Sequence, residues 1–251
     1  MSNKKYTDFH SNYLEDKWIS ENLDLPEKGF FVDVGASDAI KRSNTYYFEM
    51  NGWDGICIEA DKFYFSAGED TEGRNNPLPK FRKKSIHAAV GEEEKEILFV
   101  SWGTRKALSH VYTEEFFPGD IPTLFLINHK HWKFFHIPHK NSFKKFIWYP
   151  NINPHKNSFK VKCYKLETIL QEHSVNHIDI LDIACRSQDW SIWNSFDYEK
   201  YIPKVIITEH TSRGHLRDER VHDFLINTEE YDLCYTTKPC YIFKHNSVEY
   251  K

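Results

Sequence analysis

The sequence lacks any long apolar run. Nowhere in its 251 residues do the roughly 18 consecutive apolar residues of a membrane-spanning helix occur. The start, "MSNKKYTDFHSNYLEDKW", also lacks the apolar core of a signal peptide. We therefore expect a soluble, cytoplasmic protein without a membrane partner. With 40% hydrophobic and 16% aromatic residues, the chain can bury a full core, which argues against general disorder.

Cysteines are few, and their spacing shows no pairing. The five, Cys57, Cys163, Cys185, Cys234 and Cys240, are an odd number and include no Cys-x-x-Cys pair. A disulfide framework or a zinc ribbon needs paired cysteines at short, regular spacing. We therefore predict five reduced thiols.

Acidic residues are absent from Ile121 to Leu166, a segment with nine lysines and five histidines. The whole chain has a net charge of -4, so the remainder carries 24 basic against 37 acidic residues, or -13. The segment also repeats itself, because "HKNSFK" stands at 139–144 and again at 155–160. Two copies are too few for a solenoid. We interpret residues 121–166 as a basic insertion that carries a local duplication.

The basic insertion allows more than one partner. Its lysines alternate with aromatic residues, including Trp132, Trp148 and Tyr149, a mixture that can stack bases and neutralise phosphates in nucleic acid. A solvated basic lid or a self-association patch explains the same residues, and charge asymmetry alone does not favour nucleic acid. The four histidines between 129 and 139 have no nearby carboxylate or cysteine, so we expect no metal there. We favour steering of a negatively charged acceptor.

Short apolar runs alternate with helix-like segments along the chain. The runs "GFFVDV", "GICIEA", "SIHAAV", "HIDILDIA" and "KVIITEH" predict buried strands, and "KFYFSAGE" and "KLETILQEH" predict helices between them. This alternation is typical of an α/β protein with a mostly parallel sheet covered by helices on both faces. We predict one domain over residues 1–251, with a helical lead-in over 1–28 and the insertion over 121–166. Ligands of such sheets bind at the carboxyl ends of the strands.

The first strand ends in a loop of small residues. Asp33 closes the strand, and Gly35, Ser37 and Ala39 follow at alternate positions. A dinucleotide site needs Gly-x-Gly-x-x-Gly, so NAD and FAD are disfavoured. S-adenosylmethionine has no phosphate and needs only an acid followed by small residues, and Glu59 at the end of the second strand can accept its ribose hydroxyls. The alternative is that Asp33 and Glu59 are polar strand ends without a ligand.

Several short motifs now occur in order: "FVDVGASDAIKRSNTYYFE", "GWDGICIEAD", "HAAVG", "IDIL" and "SFDYEKYIPKVIITEH". Together they resemble the FkbM-type methyltransferase family over most of residues 29–100 and 161–245. The resemblance implies a Rossmann-like methyltransferase fold with a seven-stranded sheet. It also implies binding of S-adenosylmethionine and methylation of a hydroxyl, often on a sugar or a natural product. The positions that would line the cofactor are Asp33, Gly35, Ala36, Ser37, Asp38, Ser43, Asn44 and Glu59.

The chain departs from the family after "IDILDI". The family usually places Asp-x-Glu-Gly-x-Glu there, whereas this chain has Ala184, Cys185, Arg186, Ser187, Gln188 and Asp189. Two of the three carboxylates are missing, so we expect no divalent metal, which prefers several hard oxygen ligands. Arg186, with Asp189 beside it, can instead receive an anionic acceptor. The other interpretation is that Arg186 is an exposed residue in an inactive site.

Methyl transfer to a hydroxyl also needs a group that takes up its proton. His210, directly after "VIITE", is the candidate base, with Glu209 as the residue that orients it. Asp182 is a further candidate acid, or simply a buried polar group. The alternative for His210 is a residue at a strand end with no ligand in reach.

The sequence thus predicts an S-adenosylmethionine-dependent O-methyltransferase with a divergent active site. Its acceptor would be a sugar, a sugar nucleotide or another small anionic molecule. The alternative is a non-catalytic relative that serves as a binding or assembly module. A chain rich in Lys, Asn, Ile, Phe and Tyr is typical of an AT-rich genome, such as a viral one.

Overall fold

The computed structural model describes residues 6–65, 77–100, 110–111, 133–135, 147–149, 158–185, 188–210 and 219–251. The chain divides into two compact units, the first made of Met1–Lys95 and Lys162–Lys251, the second of Glu96–Val161. The second unit therefore starts 25 residues before the insertion predicted at 121–166 and ends five residues before its end. Among the described residues, no helix is long and apolar enough to cross a membrane.

Strands are spread over the whole chain. They are β1 (Phe30–Val34), β2 (Asp54–Glu59), β3 (Ser85–His87), β4 (Ala89–Val90), β5 (Lys95–Val100), β6 (His110–Val111), β7 (Lys133–Phe135), β8 (Ile147–Tyr149), β9 (Ser158–Tyr164), β10 (Ile180–Ile183), β11 (Val205–Glu209), β12 (Tyr231–Thr236) and β13 (Cys240–His245).

Helices separate most strands of the first unit. They are α1 (Glu15–Asn22), α2 (Tyr46–Met50), α3 (Leu78–Phe81), α4 (Leu166–Glu172), α5 (Asp189–Trp193), α6 (Tyr198–Tyr201) and α7 (Arg220–Thr228). In the segment predicted as the helix "KFYFSAGE", the described residues 62–65 contain a short 3-10 turn at Lys62–Tyr64, and the last four residues lie outside the described part of the chain. The predicted helical lead-in at 1–28 contains α1.

The first unit is built on a seven-stranded sheet in the order β12-β13-β11-β10-β1-β2-β3. All pairings from β3 to β11 are parallel, and β13 pairs antiparallel with β11 and β12. The prediction of a mostly parallel α/β sheet is confirmed. The strand order reverses between β1 and β10, and this reversal is the position where open α/β sheets bind ligands.

Alternate residues of the strands face opposite sides of this sheet. Val32 packs on one side with Leu166 of α4 and Leu225 of α7, in a core that also includes residues of α5. Phe31 packs on the other side with Ile19 of α1 and Phe48 of α2. Helices therefore cover both faces, as predicted, and α1 is part of the core.

One predicted strand is divided in two. "SIHAAV" forms β3, which extends the large sheet beside β2, and β4, which pairs with β9 through Ala89 and Cys163. The change occurs at Ala88, whose N–H donates to the carbonyl of Glu59. The partner of β4 lies more than 70 residues away in the chain, so the sequence did not show this change of partner.

In the second unit, β5 pairs antiparallel with β6, and β7 with β8. Lys160, the last residue of the second "HKNSFK" copy, forms an exposed ion pair with Glu96 at 2.6 Å. The first copy lies outside the described residues, as do most of the lysines and all of the histidines predicted to form the basic insertion.

Candidate functional site

The carboxyl ends of β1, β2, β10 and β11 form one edge of the large sheet. The predicted site residues that the structure describes lie at this edge or in the loops after it. Asp33 of β1 stands directly beside Asp182 of β10 in the parallel register. Asp33 also stands beside Cys57 of β2, two residues before Glu59. The sheet therefore brings the predicted cofactor loop, Glu59 and Asp182 into neighbouring positions.

The conformation and packing of the backbone around position 35 require a glycine there. Its φ is +86°, and a Cβ atom there would lie 2.7 Å from the carbonyl oxygen of Ala184 and 2.9 Å from Sγ of Cys185. The Gly35 N–H donates to the carbonyl of Ile58. Sequence reasoning assigned this glycine to a close approach by a ligand. The structure shows that the loop after β10 makes a close approach.

Replacing Gly35 by alanine is expected to destabilise the protein by about 2 to 5 kcal/mol, since left-handed backbone strain and overpacking add. Gly52 is a matched control, because its φ is +95° but a Cβ atom added there would have nothing within 4 Å. Gly52→Ala should therefore lower stability by only about 1 to 2 kcal/mol. Denaturant unfolding of the two variants measures the difference. Equal losses would show that the contact with Ala184 is unimportant.

Glu59 connects the loops after β1 and β2. Its Oε2 accepts the backbone N–H of Ser37 at 2.7 Å, and its Oε1 accepts that of Asp61 at 2.7 Å. The side chain is buried, and this burial raises its pKa to about 7, although the two backbone donors favour the charged form. Each carboxylate oxygen can accept a second hydrogen bond. Glu59 therefore can receive ribose hydroxyls while it holds the loop.

The rest of the loop after β1 is ordered by its own side chains. Asp38 Oδ1 accepts the N–H groups of Ile40 and Lys41, and Ser43 Oγ accepts those of Thr45 and Tyr46 where α2 begins. The side-chain amide of Asn44, the residue between Ser43 and Thr45, donates to Asp182.

Sequence reasoning missed Arg82, which lies buried beneath this loop. Its Nε donates to Glu49, its Nη2 to Thr45 Oγ1 at 2.7 Å, and its Nη1 to Ser43 Oγ at 3.2 Å. Its Nη1 lies 3.9 Å from Asp33 Oδ2. Thr45 in turn donates to Asp33. Thr45 and Arg82 therefore hold the Asp33 carboxylate. The sequence could not reveal the contact with Arg82, because this arginine lies 49 residues further along the chain and belongs to no local motif.

Asp189 holds the loops after β10 and β11. Its Oδ1 accepts the N–H of Cys185 at 3.1 Å, and its Oδ2 accepts that of Glu209 at 3.3 Å. The sequence placed Asp189 beside an anionic acceptor, together with Arg186. The structure shows Asp189 bound to backbone, and Arg186 lies outside the described residues. The acceptor contact of both residues therefore stays a prediction.

His210 is held by the turn between β12 and β13. Its backbone N–H donates to Pro239 at 2.7 Å, and its ring Nε2 lies 3.0 Å from the carbonyl oxygen of Thr237. A carbonyl only accepts hydrogen bonds, so Nε2 carries the proton, and Nδ1 of the neutral ring has a free lone pair. Nδ1 is buried and has no hydrogen-bond partner in the described structure. The sequence analysis assigned the orientation of the His210 ring to Glu209. In the structure, the carbonyl of Thr237 orients this ring.

The three predicted catalytic residues do not form one cluster. The ring of His210 stacks on Tyr241 at 4.2 Å, and Tyr241 belongs to the core on the α4, α5 and α7 side of the sheet. Asp182 alternates with Leu181 and Ile183 of that core, so its side chain faces the α1 and α2 side. His210 and Asp182 therefore face opposite sides of the large sheet.

All five cysteines are free thiols, as predicted. Among the described residues, no group of three or more His, Cys, Asp or Glu side chains is placed to hold a metal ion. Independence from metals stays a prediction, because Arg186 and Ser187 are not described.

No family model, curated protein or solved structure matches this chain. The resemblance to FkbM-type methyltransferases therefore depends on the short motifs and on how the structure arranges them.

Proposed function

We propose that this chain is an S-adenosylmethionine-dependent O-methyltransferase with a Rossmann-like methyltransferase fold, similar to the FkbM type. The observation that carries the proposal is the hydrogen bond from the Ser37 N–H to Glu59. It joins the two segments that sequence reasoning assigned to the cofactor, and it does so next to the position where the strand order reverses. A carboxylate in this place suits an adenosine ribose.

The order of the sheet supports the proposal. From β3 through β2, β1 and β10 to β11, it follows the 3-2-1-4-5 order of doubly wound nucleotide-binding sheets. The antiparallel strand β13 is then inserted between β11 and β12. The sheet therefore offers the binding position expected for an adenosine cofactor.

S-adenosylmethionine, when bound, supplies a methyl group that is already activated by the sulfonium. The chain must align the acceptor hydroxyl with that methyl group and take up the hydroxyl proton. Nδ1 of His210 can accept the proton, because its lone pair has no partner within the described protein. The carbonyl of Thr237 keeps the opposite nitrogen protonated and fixes the ring.

The acceptor is proposed to be a negatively charged sugar or sugar nucleotide. The support is the sequence from Ile121 to Leu166, with nine lysines and no acid, together with Arg186 in place of a family carboxylate. Steering by lysines weakens with salt, because the Debye length falls from about 10 Å at 0.1 M to about 3 Å at 1 M. Nucleic acid is a less favoured acceptor, because a solvated basic lid or a self-association patch explains the same lysines and aromatic residues.

A second candidate function is a binding or assembly module that keeps the cofactor without catalysis. The loop after β10 favours it, because Ala184 replaces a carboxylate and Asp189 is used to hold backbone. Incubation with S-adenosylmethionine that carries a radioactive methyl group, over a panel of neutral, acidic and nucleotide-linked sugars, separates the two. Label in an acceptor supports the methyltransferase. Binding of the cofactor with no transfer to any hydroxyl acceptor supports the module.

Changing Glu59 to glutamine is expected to weaken binding of S-adenosylhomocysteine about 10- to 100-fold. The reason is that a hydrogen bond to a charged group contributes about 1.5 to 3 kcal/mol, and 1.4 kcal/mol corresponds to a factor of ten. Glu172→Gln, an exposed change at the end of α4, is the control and should bind like wild type. Calorimetric titration measures all three proteins. Wild-type affinity in Glu59→Gln would remove Glu59 from the cofactor site.

A further inference from the structure

The turn between β12 and β13 uses a side chain where turns usually use backbone. Thr237 and Cys240 flank the two central residues of this turn, and the Thr237 N–H donates to the carbonyl of Cys240 at 2.9 Å. Turns of four residues often close with the last N–H donating to the first carbonyl. Here the Cys240 N–H donates to the hydroxyl oxygen of Thr237 at 3.2 Å, and the Thr237 carbonyl contacts Nε2 of His210.

The hydroxyl proton of Thr237 points to a buried carboxylate. Oγ1 of Thr237 lies 2.8 Å from Oε1 of Glu15 and 3.5 Å from the carbonyl oxygen of Cys240. A hydroxyl has one proton to donate, and Glu15 is the nearer acceptor. Glu15 is 1% exposed, and its Oε2 accepts the backbone N–H of Tyr13 at 2.9 Å. The carboxylate of Glu15 therefore fixes the side chain that closes the turn.

The backbone before α1 is strained where it presents this carboxylate. Leu14 has a φ of +64°, and a left-handed conformation costs a residue other than glycine about 1 to 2 kcal/mol. The Leu14 side chain is 51% exposed, so its own packing does not explain the conformation. Strained residues of this kind are concentrated at functional sites. The strain places Glu15 where its two oxygens contact Tyr13 and Thr237.

The next residue, Asp16, is also a buried acid, but it supports a different segment. Its Oδ2 accepts the N–H of His10 at 2.7 Å, and the carbonyl of His10 accepts the N–H of Arg42 at 2.8 Å in the loop after β1. Asp16 is therefore connected to the loop after β1, whereas Glu15 is connected to the turn that holds His210. The two neighbours provide a matched comparison.

We propose that Glu15 is a positioning residue for His210 and acts through Thr237. Glu15 holds the Thr237 hydroxyl, this hydroxyl receives the Cys240 N–H, and the Thr237 carbonyl is thereby kept for Nε2–H of His210. The proton stays on Nε2 and the lone pair on Nδ1, the atom proposed to take up the acceptor proton. The inference rests on the proposed function, because it needs His210 to be the base.

Four variants test this chain of contacts. Glu15→Gln leaves one acceptor oxygen in place of two, so either Tyr13 or Thr237 faces an amide group. Thr237→Val keeps the shape of the side chain and removes the hydroxyl, so the Cys240 N–H competes for the carbonyl. Thr237→Ser keeps the hydroxyl. Glu21→Gln makes the same chemical change as Glu15→Gln at an exposed position of α1.

The kinetic readout is kcat with saturating cofactor and an accepted sugar. Glu15→Gln and Thr237→Val should each lower kcat about 10- to 100-fold, the size of effect that a small displacement of a catalytic group has, and leave the affinity for S-adenosylhomocysteine unchanged. Thr237→Ser and Glu21→Gln should behave like wild type. In a His210→Gln protein, Glu15→Gln should cause no further loss, because it acts through the missing ring. A further loss there would contradict the positioning role.

A second readout needs neither cofactor nor acceptor. Ring-nitrogen NMR of protein labelled in its histidines, assigned with His210→Gln, follows the proton on Nε2 of His210. This proton should exchange slowly with water in wild type, and at least about 10-fold faster in Glu15→Gln and Thr237→Val, since protection falls with the stability of the bond. Asp16→Asn should leave it as in wild type. Unchanged exchange in both Glu15→Gln and Thr237→Val would overturn the proposal.

The outcomes separate this inference from the function it rests on. If wild type transfers methyl groups and both Glu15→Gln and Thr237→Val do so at the wild-type rate, the positioning role is wrong and the proposed function stands. If folded wild type transfers no methyl group to any acceptor, the proposed function is wrong and this inference is wrong with it. Thr237→Val keeps the acid in place, so it decides the matter if Glu15→Gln does not fold.

Discussion

Replacing Arg82 by methionine is expected to lower the free energy of unfolding by about 3 to 5 kcal/mol, the usual loss when one partner of a buried ion pair is removed. The guanidinium donates to Glu49, Thr45 and Ser43, and its Nη1 lies 3.9 Å from Asp33. Without it, two buried carboxylates would have no neighbouring cation among the described residues. Urea unfolding followed by circular dichroism measures the loss.

Two further variants test whether the loss comes from buried charge. Lys83→Met changes the next residue, whose ammonium donates to the carbonyl of Trp53, and should cost about 1 kcal/mol or less. Adding Glu49→Gln to Arg82→Met should recover part of the stability, because it neutralises one of the carboxylates left behind. An Arg82→Met protein within about 1 kcal/mol of wild type would show that the network under the loop after β1 is not structurally important.

Replacing His210 by glutamine is expected to reduce methyl transfer about 100- to 10,000-fold, the range that general base catalysis contributes. Glutamine can keep a donor towards Thr237 but offers no basic nitrogen near Nδ1. Binding of S-adenosylhomocysteine should stay unchanged, since His210 is proposed to contact the acceptor hydroxyl and not the cofactor. The measurement is initial rate with saturating cofactor and an accepted sugar, beside a titration of the same protein.

His173→Gln is the matched control for this change. His173 lies at the end of α4, so its replacement should leave the rate within about a factor of two. Thr237 gives a second control, because Thr237→Ser keeps the hydroxyl bond to Glu15 and the carbonyl that receives His210. Equal rates in wild type and His210→Gln would remove His210 as the base. A parallel loss of cofactor affinity would instead show a general distortion of the site.

The large sheet could be predicted because its strands are short apolar runs separated by helix-forming segments. β1, β10 and β11 lie within runs that the sequence marks as buried strands, and β2 begins one residue before its run. The division of "SIHAAV" into β3 and β4 could not be predicted in this way. The second half pairs with Cys163 and Tyr164 of β9, more than 70 residues later in the chain, and no local pattern marks this change of partner.

The sequence allowed us to predict which residues lie at the candidate site, but not most of the contacts that these residues make. Gly35 and Glu59 stand out because a glycine and an acid follow buried strands. The contact of Gly35 with Ala184 and the orientation of His210 by Thr237 join segments that are distant in sequence. Arg82 has no motif around it, so only the folded chain shows that it supports the loop after β1. Local patterns therefore indicate where strands end, and the tertiary structure determines which side chains meet there.

Titration of folded wild-type protein with S-adenosylmethionine and S-adenosylhomocysteine decides whether the edge of the large sheet binds the cofactor. We expect saturable heat with one site per chain for both ligands, and thermal unfolding that shifts upward with ligand concentration, since a ligand that binds only the folded state stabilises it. No heat and no thermal shift with either ligand, in protein whose circular dichroism shows the α/β fold, would contradict the cofactor site and the methyltransferase assignment.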